Sequence, residues 1–423
     1  THAFWLSLRP RKAVAPGGYT VQVRVTGEGE GRPRTLRLRV RVHDVTIRPR
    51  RDFSVIHWFY SDSLFDFHQC EPFDARYWSV LPNYLENLVG HGQDTVYVPV
   101  FTPPLDGVKR PTQLLQVTET APGRYRFDWR DVKRYLAVAR ACGLRRFEWT
   151  HLFTQWGARH ALRIYHGQGA DRRLLWPPET PATGKVYRRF LAQFLPAFEA
   201  FLRREKLMDD SFFHVSDEPH GEEQQANYRA VRELLRELAP WMKVMDALSD
   251  ATFARQRLVD IPVCTITGVQ EFIGQDWPVW CYFCCQPRGR WLNRLLDDSL
   301  AKIRMSGWLF YRWPLQGFLH WGYNFWYQPG SAVRIDPFTV SDGNHWPGWP
   351  HGDPFVVYPG ADGPIDSIRW EIFAEGLQDY ALLQALGVPR EATPLKRLRS
   401  FEVFPRSEQW IVHTRRRLLE GGT

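Results

Sequence analysis

From residue 51 onward, eight short apolar runs, at 54–60, 94–101, 146–153, 212–216, 243–247, 262–267, 279–285 and 317–326, are separated by segments of helical periodicity. Strands that alternate with helices pair in parallel, because each crossover helix returns the chain to the same end of the sheet. Eight such units predict an α/β fold of the (β/α)8 TIM-barrel kind. One intervening helix is legible in detail: Asp128 caps it, Val132, Tyr135, Leu136 and Ala139 share a face, and Gly143 stops it. A last helix is expected over 367–386, stopped by Gly387 and Pro389. Two parts fit less well. Residues 308–311 compete with 279–285 for the seventh strand, and 336–359 is a long insertion rich in Gly, Pro and Trp, of the kind that is functional or forms a subdomain.

Residues 1–50 read differently. Segments 19–26 and 35–42 alternate as half-exposed strands around a Gly-rich loop. Three or four strands are too few for a sandwich, so this segment is expected to be a partial all-β, sandwich-like portion, linked through Arg48-Pro49-Arg50 to a catalytic barrel over 51–423.

The formal charge of +9 comes from arginines scattered through strands and helices, with Arg415-Arg416-Arg417 the longest run, so a solvated face is expected and not a nucleic-acid partner. Six cysteines lack a pairing framework, and Cys281-Tyr282-Phe283-Cys284-Cys285 has no second pair to complete a metal knuckle; buried strand thiols and no metal are expected. No apolar stretch is long enough to span a membrane. The chain starts without Met or a signal peptide, so an export signal was removed or never present, and secreted, periplasmic and cytoplasmic locations all stay open, as does the oligomeric state. Aromatic residues make up 15% of the chain, and many fall near strand ends, where flat faces stack on sugar rings; burial in a large core is the competing use.

In a barrel of this kind chemistry sits at the C-terminal ends of the strands. That places there His57, Trp58 and Tyr60 of the first strand, Trp149 and His151 of the third, and Asp217 and Glu218 of the fourth. Asp246 of the fifth, Tyr282 of the seventh, and His320, Trp321, Tyr323, Asn324 and Trp326 of the eighth complete the set. Asp217-Glu218-Pro219 follows a β-prone run and precedes a helix with Tyr228, Val231, Leu234, Leu235 and Leu238 on one face. An acidic pair before proline is common turn and cap chemistry. Its aromatic and amide company instead suits a sugar-binding cleft.

Glycoside hydrolysis needs an acid for the leaving oxygen and a second group that stabilises charge at the anomeric carbon. In the usual retaining scheme that group is a carboxylate on another strand, and here Glu148 falls too early in its strand to serve. Neighbouring residues of a strand point to opposite faces, so both acids reach one ligand only where the backbone bends, as Pro219 allows. A substrate-assisted scheme fits such a pair: the sugar's 2-acetamido oxygen attacks, an aspartate holds the acetamido nitrogen, and a glutamate serves as acid, then base.

The stretches 214–219, 358–371 and 375–380, with His320-Trp321-Gly322-Tyr323-Asn324-Phe325-Trp326, resemble the domain-of-unknown-function 4091 group, which includes glycoside hydrolase family 123. The resemblance covers about residues 1 to 390. It implies a β-sandwich followed by a catalytic (β/α)8 barrel, and a retaining β-N-acetylgalactosaminidase that works through an oxazolinium intermediate without a cofactor. By position in the motif, Glu218 would be the acid/base and Asp217 would orient the acetamido group. His57, Trp149, His214, Tyr282, Trp321, Tyr323, Asn324 and Trp326 are the expected substrate-binding residues, and a glycan or glycoconjugate the expected partner. Arg369, Glu371 and Asp379 are expected to form an ion-pair network on the last helix. A barrel glycosidase of another specificity and a non-catalytic carbohydrate-binding barrel remain as alternatives.

Overall fold

The computed structural model describes residues 5–10, 13–27, 33–104, 110–167, 172–328, 330–340 and 348–422. Eight parallel strands form its centre, one within each apolar run: Ser54–His57, Thr95–Val98, Arg146–Trp149, Ser211–Phe213, Met245–Leu248, Ile261–Thr265, Trp280–Tyr282 and Gly317–His320. They are numbered first to eighth below. The second, third and fourth form one hydrogen-bonded arc, and the fifth to eighth with the first form another. A parallel bridge between Phe213 and Val244 joins the arcs on one side.

On the other side, side chains take over from the ladder. Val55 N donates to Asp94 Oδ1 at 2.8 Å, His57 N donates to Gln93 Oε1 at 2.8 Å, and Gln93 Nε2 donates to Thr95 O at 2.8 Å. Buried backbone groups must find partners, and here two amides find them in the residues that lead into the second strand.

Side-chain alternation splits the interior into two layers. Ile56, Tyr97, Met245, Ala247, Val263, Trp280, Tyr282 and Leu319 pack inside the strands, whereas Val55, Val96, Val98, Phe147 and Trp149 face the helices. The helix Lys185–Arg204 lines up Tyr187, Phe190, Phe194, Phe198 and Phe201, and Trp129 stacks on Phe201 with centroids 4.3 Å apart. Much of the aromatic content is therefore core.

The helix Arg130–Cys142 ends at Gly143 with φ 106°, the left-handed conformation that glycine adopts without a Cβ penalty. The last of the long central helices, Ile368–Ala385, starts on Ser367, whose side chain accepts from Trp370 N. Residues 308–311 lie in the helix Leu300–Arg312, which leaves the seventh place to Trp280–Tyr282.

The eighth strand stops at His320, well short of 326. A Cβ on Gly322 would sit 2.4 Å from Asp353 O, so the insertion's backbone lies directly against the chain there. Part of that insertion, 341–347, lies outside the described residues.

At the N-terminal end, the described residues hold two antiparallel strands, Gly17–Val25 and Arg34–Val42, largely exposed, where three or four strands were expected. A four-stranded accessory sheet of 116–121, 124–128, 165–166 and 173–174 was not anticipated, because its strands are short and polar.

Candidate active site

The chain beyond the fourth strand is held from both flanks. Leu152 N, Phe153 N and Trp156 N donate to His214 O, Val215 O and Asp217 O at 3.1, 3.0 and 2.9 Å. From the fifth strand, Asp246 accepts from Val215 N at 3.2 Å and Ser216 N at 3.3 Å. Glu218 then adopts φ 42° before Pro219. This left-handed turn, unfavourable for a side-chain-bearing residue by about 1–2 kcal/mol, breaks the strand alternation, and both carboxylates line one cleft.

Asp217 is 9% exposed and receives Gln155 Nε2 at 3.2 Å. Burial, and then the neighbouring Glu218 carboxylate, push the Asp217 carboxyl well above the usual range. Tyr282 donates its hydroxyl to Glu218 Oε1 at 2.5 Å, and burial followed by the Glu218 charge keeps its proton in place.

Trp58, Trp156, Trp321, Trp349 and Tyr282 wall the cleft, with Gln155, Ala247, Cys284 and Leu319. Trp156 is 50% exposed, a free-standing face at the rim. The buried Asp353 carboxylate accepts from Trp321 Nε1 at 2.9 Å and Trp349 Nε1 at 3.0 Å, so one acid orients two tryptophans. Burial pushes Asp353 up to about 6.

Beneath the pair lies a charged interior. His214 Nδ1 is 3.0 Å from Asp246 Oδ1, its Nε2 is 2.9 Å from Glu148 Oε1, and Trp58 Nε1 donates to the same Glu148 oxygen at 2.5 Å. Burial pulls His214 down, but Glu148 and Asp246 outweigh it and push the imidazole up to about 10. Tyr228 also donates to Asp246. Although His151, His214 and Asp246 cluster closely enough to suggest a metal, both His214 nitrogens face carboxylates and carry protons. That ring has no lone pair left for an ion.

Of the expected substrate-binding residues, Tyr282 and Trp321 line the cleft with the acids, and His214 sits directly below them. Five do not reach it. His57 spans the seam between arcs, bonded to Gln93 Oε1 at 3.0 Å and to Arg294 Nη1 at 2.5 Å. Trp149 faces outward by strand alternation, packs on Phe198 at 4.9 Å and donates to Ser211 Oγ at 2.8 Å.

Tyr323, Asn324 and Trp326 lie past the end of the eighth strand and act as interior glue. Tyr323 donates to Asn87 Oδ1 at 3.0 Å, Asn324 pairs with Tyr60 N and O at 2.9 and 3.0 Å, and Trp326 donates to Val357 O at 3.0 Å. Tyr60 and His151 are also buried; the latter lies 3.0 Å from Tyr97 Oη. His320 is buried 3.3 Å from Asp353 Oδ1.

Gln155, Trp156, Cys284 and Trp349 were not expected in the cleft. Trp349 had a signal, since it sits in the Trp-rich insertion. Gln155 and Trp156 follow a strand end in a loop with no regular pattern. Cys264 and Cys281 are buried strand thiols as expected, whereas Cys284 and Cys285 lie past the strand, half-buried, with sulfurs 3.8 Å apart.

The expected network on the last helix divides in three. Asp379 pairs with Arg304 at 2.8 Å and Arg415 at 3.4 Å, Arg369 donates to the carbonyls of Arg294, Gly352 and Phe355, and Glu371 faces His91.

A model of the glycoside hydrolase 123 catalytic domain matches residues 58–386. Among solved structures, a family 123 glycoside hydrolase from Clostridium perfringens, described for glycolipid glycan hydrolysis, has a TM-score of 0.70 at 14% identity, covering 96% of this chain and 75% of that one. At that identity the likeness is one of fold. A family 10 xylanase from termite gut (TM-score 0.40, 9% identity, 88% and 87% covered) and a maltogenic α-amylase from Thermotoga neapolitana (0.39, 12%, 78% and 76%) are more distant. No curated protein matches the chain. With its catalytic-domain match spanning the second to eighth strands, the cleft and the acidic pair, the chain belongs to the glycoside hydrolase 123 family, and it is a glycosidase.

Proposed function

We propose that the chain removes terminal β-linked N-acetylgalactosamine from glycans by substrate-assisted catalysis with retention of configuration, on a (β/α)8 barrel preceded by part of a β-sandwich over 1–50. One observation carries the reading. The turn at Glu218 brings two adjacent carboxylates to one cleft whose described lining holds no third. A scheme with a protein nucleophile calls for a second carboxylate across the sugar. Here the substrate's acetamido oxygen takes that part.

The scheme runs through the form of the pair in which the glutamate carries the proton and Asp217 is the anion. Glu218 protonates the glycosidic oxygen as the C1–O bond breaks, and the acetamido carbonyl oxygen forms a new bond to C1 on the opposite face. Asp217 accepts the acetamido N–H and stabilises the positive charge of the oxazolinium. Glu218, now a carboxylate, takes a proton from water as the water opens the ring, so two inversions restore the β configuration. Tyr282 steadies Glu218 in both steps, and the tryptophans supply apolar faces for the sugar ring and the departing chain.

Hydrolysis of aryl β-N-acetylgalactosaminide and β-N-acetylglucosaminide, each beside its 2-hydroxy counterpart, tests the proposal. Turnover confined to the acetamido sugars, faster for the galacto form, is expected. Undiminished turnover of a 2-hydroxy glycoside contradicts the mechanism, and preference for the gluco form contradicts the sugar.

A further inference from the structure

Asp366 and Glu371 belong to the run 358–371, which the catalytic reading does not use. They meet His91, which follows the helix Ala75–Gly90. Asp366 ends the small hairpin of Val357–Pro359 and Pro364–Asp366, and Glu371 lies in the first turn of Ile368–Ala385. None of the three lines the cleft.

The state of the His91 ring follows from its partners. Nδ1 lies 2.8 Å from Asn87 O, and a carbonyl only accepts, so Nδ1 carries the hydrogen. In the neutral ring the lone pair is then at Nε2. The side chain is 9% exposed, and Nε2 is buried without a hydrogen-bond partner. It points at Asp366 Oδ2, 3.7 Å away, and Glu371 Oε2, 3.6 Å away. Those gaps are too long for hydrogen bonds. Two ligands each about 2.0–2.2 Å from one ion would stand at nearly such a separation, and the three ligand atoms all lie within 4.8 Å of one another.

Supporting contacts orient the ligands. Asn87 Nδ2 donates to the other Asp366 oxygen at 2.6 Å, while Asn87 Oδ1 accepts from Trp370 Nε1 at 2.9 Å. The His91 ring stacks on Trp370, centroids 4.9 Å apart. One asparagine therefore fixes two of the three ligands, as the outer shell of a metal site does. Burial pushes Glu371 up, His91 pulls it down and Asp366 pushes it up again; Arg9 and Glu375 act more weakly in opposite senses. A cation between the carboxylates would relieve their repulsion.

We propose that His91, Asp366 and Glu371 form a structural site for a divalent transition metal such as Zn2+, which pins the hairpin and the helix Ile368–Ala385 to the end of the helix Ala75–Gly90. One imidazole and two carboxylates with room for water suit Zn2+ or Mn2+ better than Mg2+ or Ca2+, which favour all-oxygen shells.

The test uses the whole chain stripped with a chelator and then titrated with ZnCl2, with MnCl2, MgCl2 and CaCl2 in parallel. Bound metal is measured by equilibrium dialysis and stability by thermal unfolding. One equivalent of Zn2+ is expected to bind and to raise Tm, with Mg2+ and Ca2+ at least tenfold weaker. Asp366→Asn and Glu371→Gln, which keep side-chain size, are expected to lower Zn2+ affinity more than tenfold and abolish the Tm rise. Their metal-free circular dichroism and glycoside turnover check that they fold. Equal Zn2+ binding by wild type and folded variants, tighter Ca2+ than Zn2+ binding, or no stoichiometric binding of any of the four ions overturns the proposal.

Discussion

Holding Asp217 beside Glu218 in a buried cleft costs the folded state stability. The Asp217 carboxyl is raised by burial and by its neighbour. A group raised above its unfolded value, about 3.9 for Asp, contributes stability that is present below that pH and is lost as pH rises through the folded value. Asp217→Asn removes the ionisation, so in urea titrations at pH 5, 7 and 9 the variant's midpoint should gain on wild type as pH rises, by about 1.4 kcal/mol for each pH unit crossed between the unfolded and folded values. A shrinking gain would contradict that sign. Asp353 offers a second case. Asp353→Ala releases two cleft tryptophans and should raise KM by roughly tenfold, about 1.4 kcal/mol, with a smaller change in kcat. At this scale the position of the pair at a strand end was legible, because a proline after a β-prone run ends the strand there. The walls were less so. Trp149 was misplaced because its in-or-out phase depended on where the strand began, and Tyr323, Asn324 and Trp326 because the eighth strand ends six residues earlier than their apolar run does.

Among the elements, the helices Leu300–Arg312 and Ile368–Ala385 approach most closely. A Cβ on Gly307 would lie 1.6 Å from Gly376 O, and one on Gly376 would lie 2.6 Å from Arg304 O. Neither backbone can yield without the other, so Gly307→Ala should cost about 1–3 kcal/mol or more, read as a drop in Tm. Beside this crossing the fully buried Asp379 takes Arg304 Nε at 2.8 Å and Trp308 Nε1 at 3.0 Å. Asp379→Ala takes the acceptor from the indole and from Arg304 Nε, leaving the guanidinium only Glu375 at 3.2 Å, and should cost about 1–3 kcal/mol, with catalysis per folded molecule unchanged. Eight strands and the alternating helices could be read from periodicity alone. The seam carried by Gln93 and Asp94 could not, since nothing local marks a side chain that replaces a ladder bond across about forty residues.

For the whole molecule, the buried titratable groups predict how stability varies with pH. His57, His151 and His320 are lowered well below their usual value, first by burial. Their contribution is present above about pH 6.5 and is lost as pH falls. His214, pushed up to about 10, acts in the other direction: its contribution is present below about pH 6.5 and is lost as pH rises through the folded value. Thermal unfolding from pH 5 to 10 should therefore show a Tm maximum near neutrality, and a steady rise to pH 10 would contradict the charged interior. That interior sits under a cleft with two acids, and its imidazolium faces them from below. The most direct test of their roles is kcat/KM for wild type, Glu218→Gln and Asp217→Asn on aryl N-acetyl-β-galactosaminides of graded leaving-group strength. Glu218→Gln should lose about 10²–10⁴-fold on poor leaving groups and far less on the best, while Asp217→Asn should lose about 10²–10³-fold on all of them. Wild-type rates in either variant would show that this pair does not carry the chemistry.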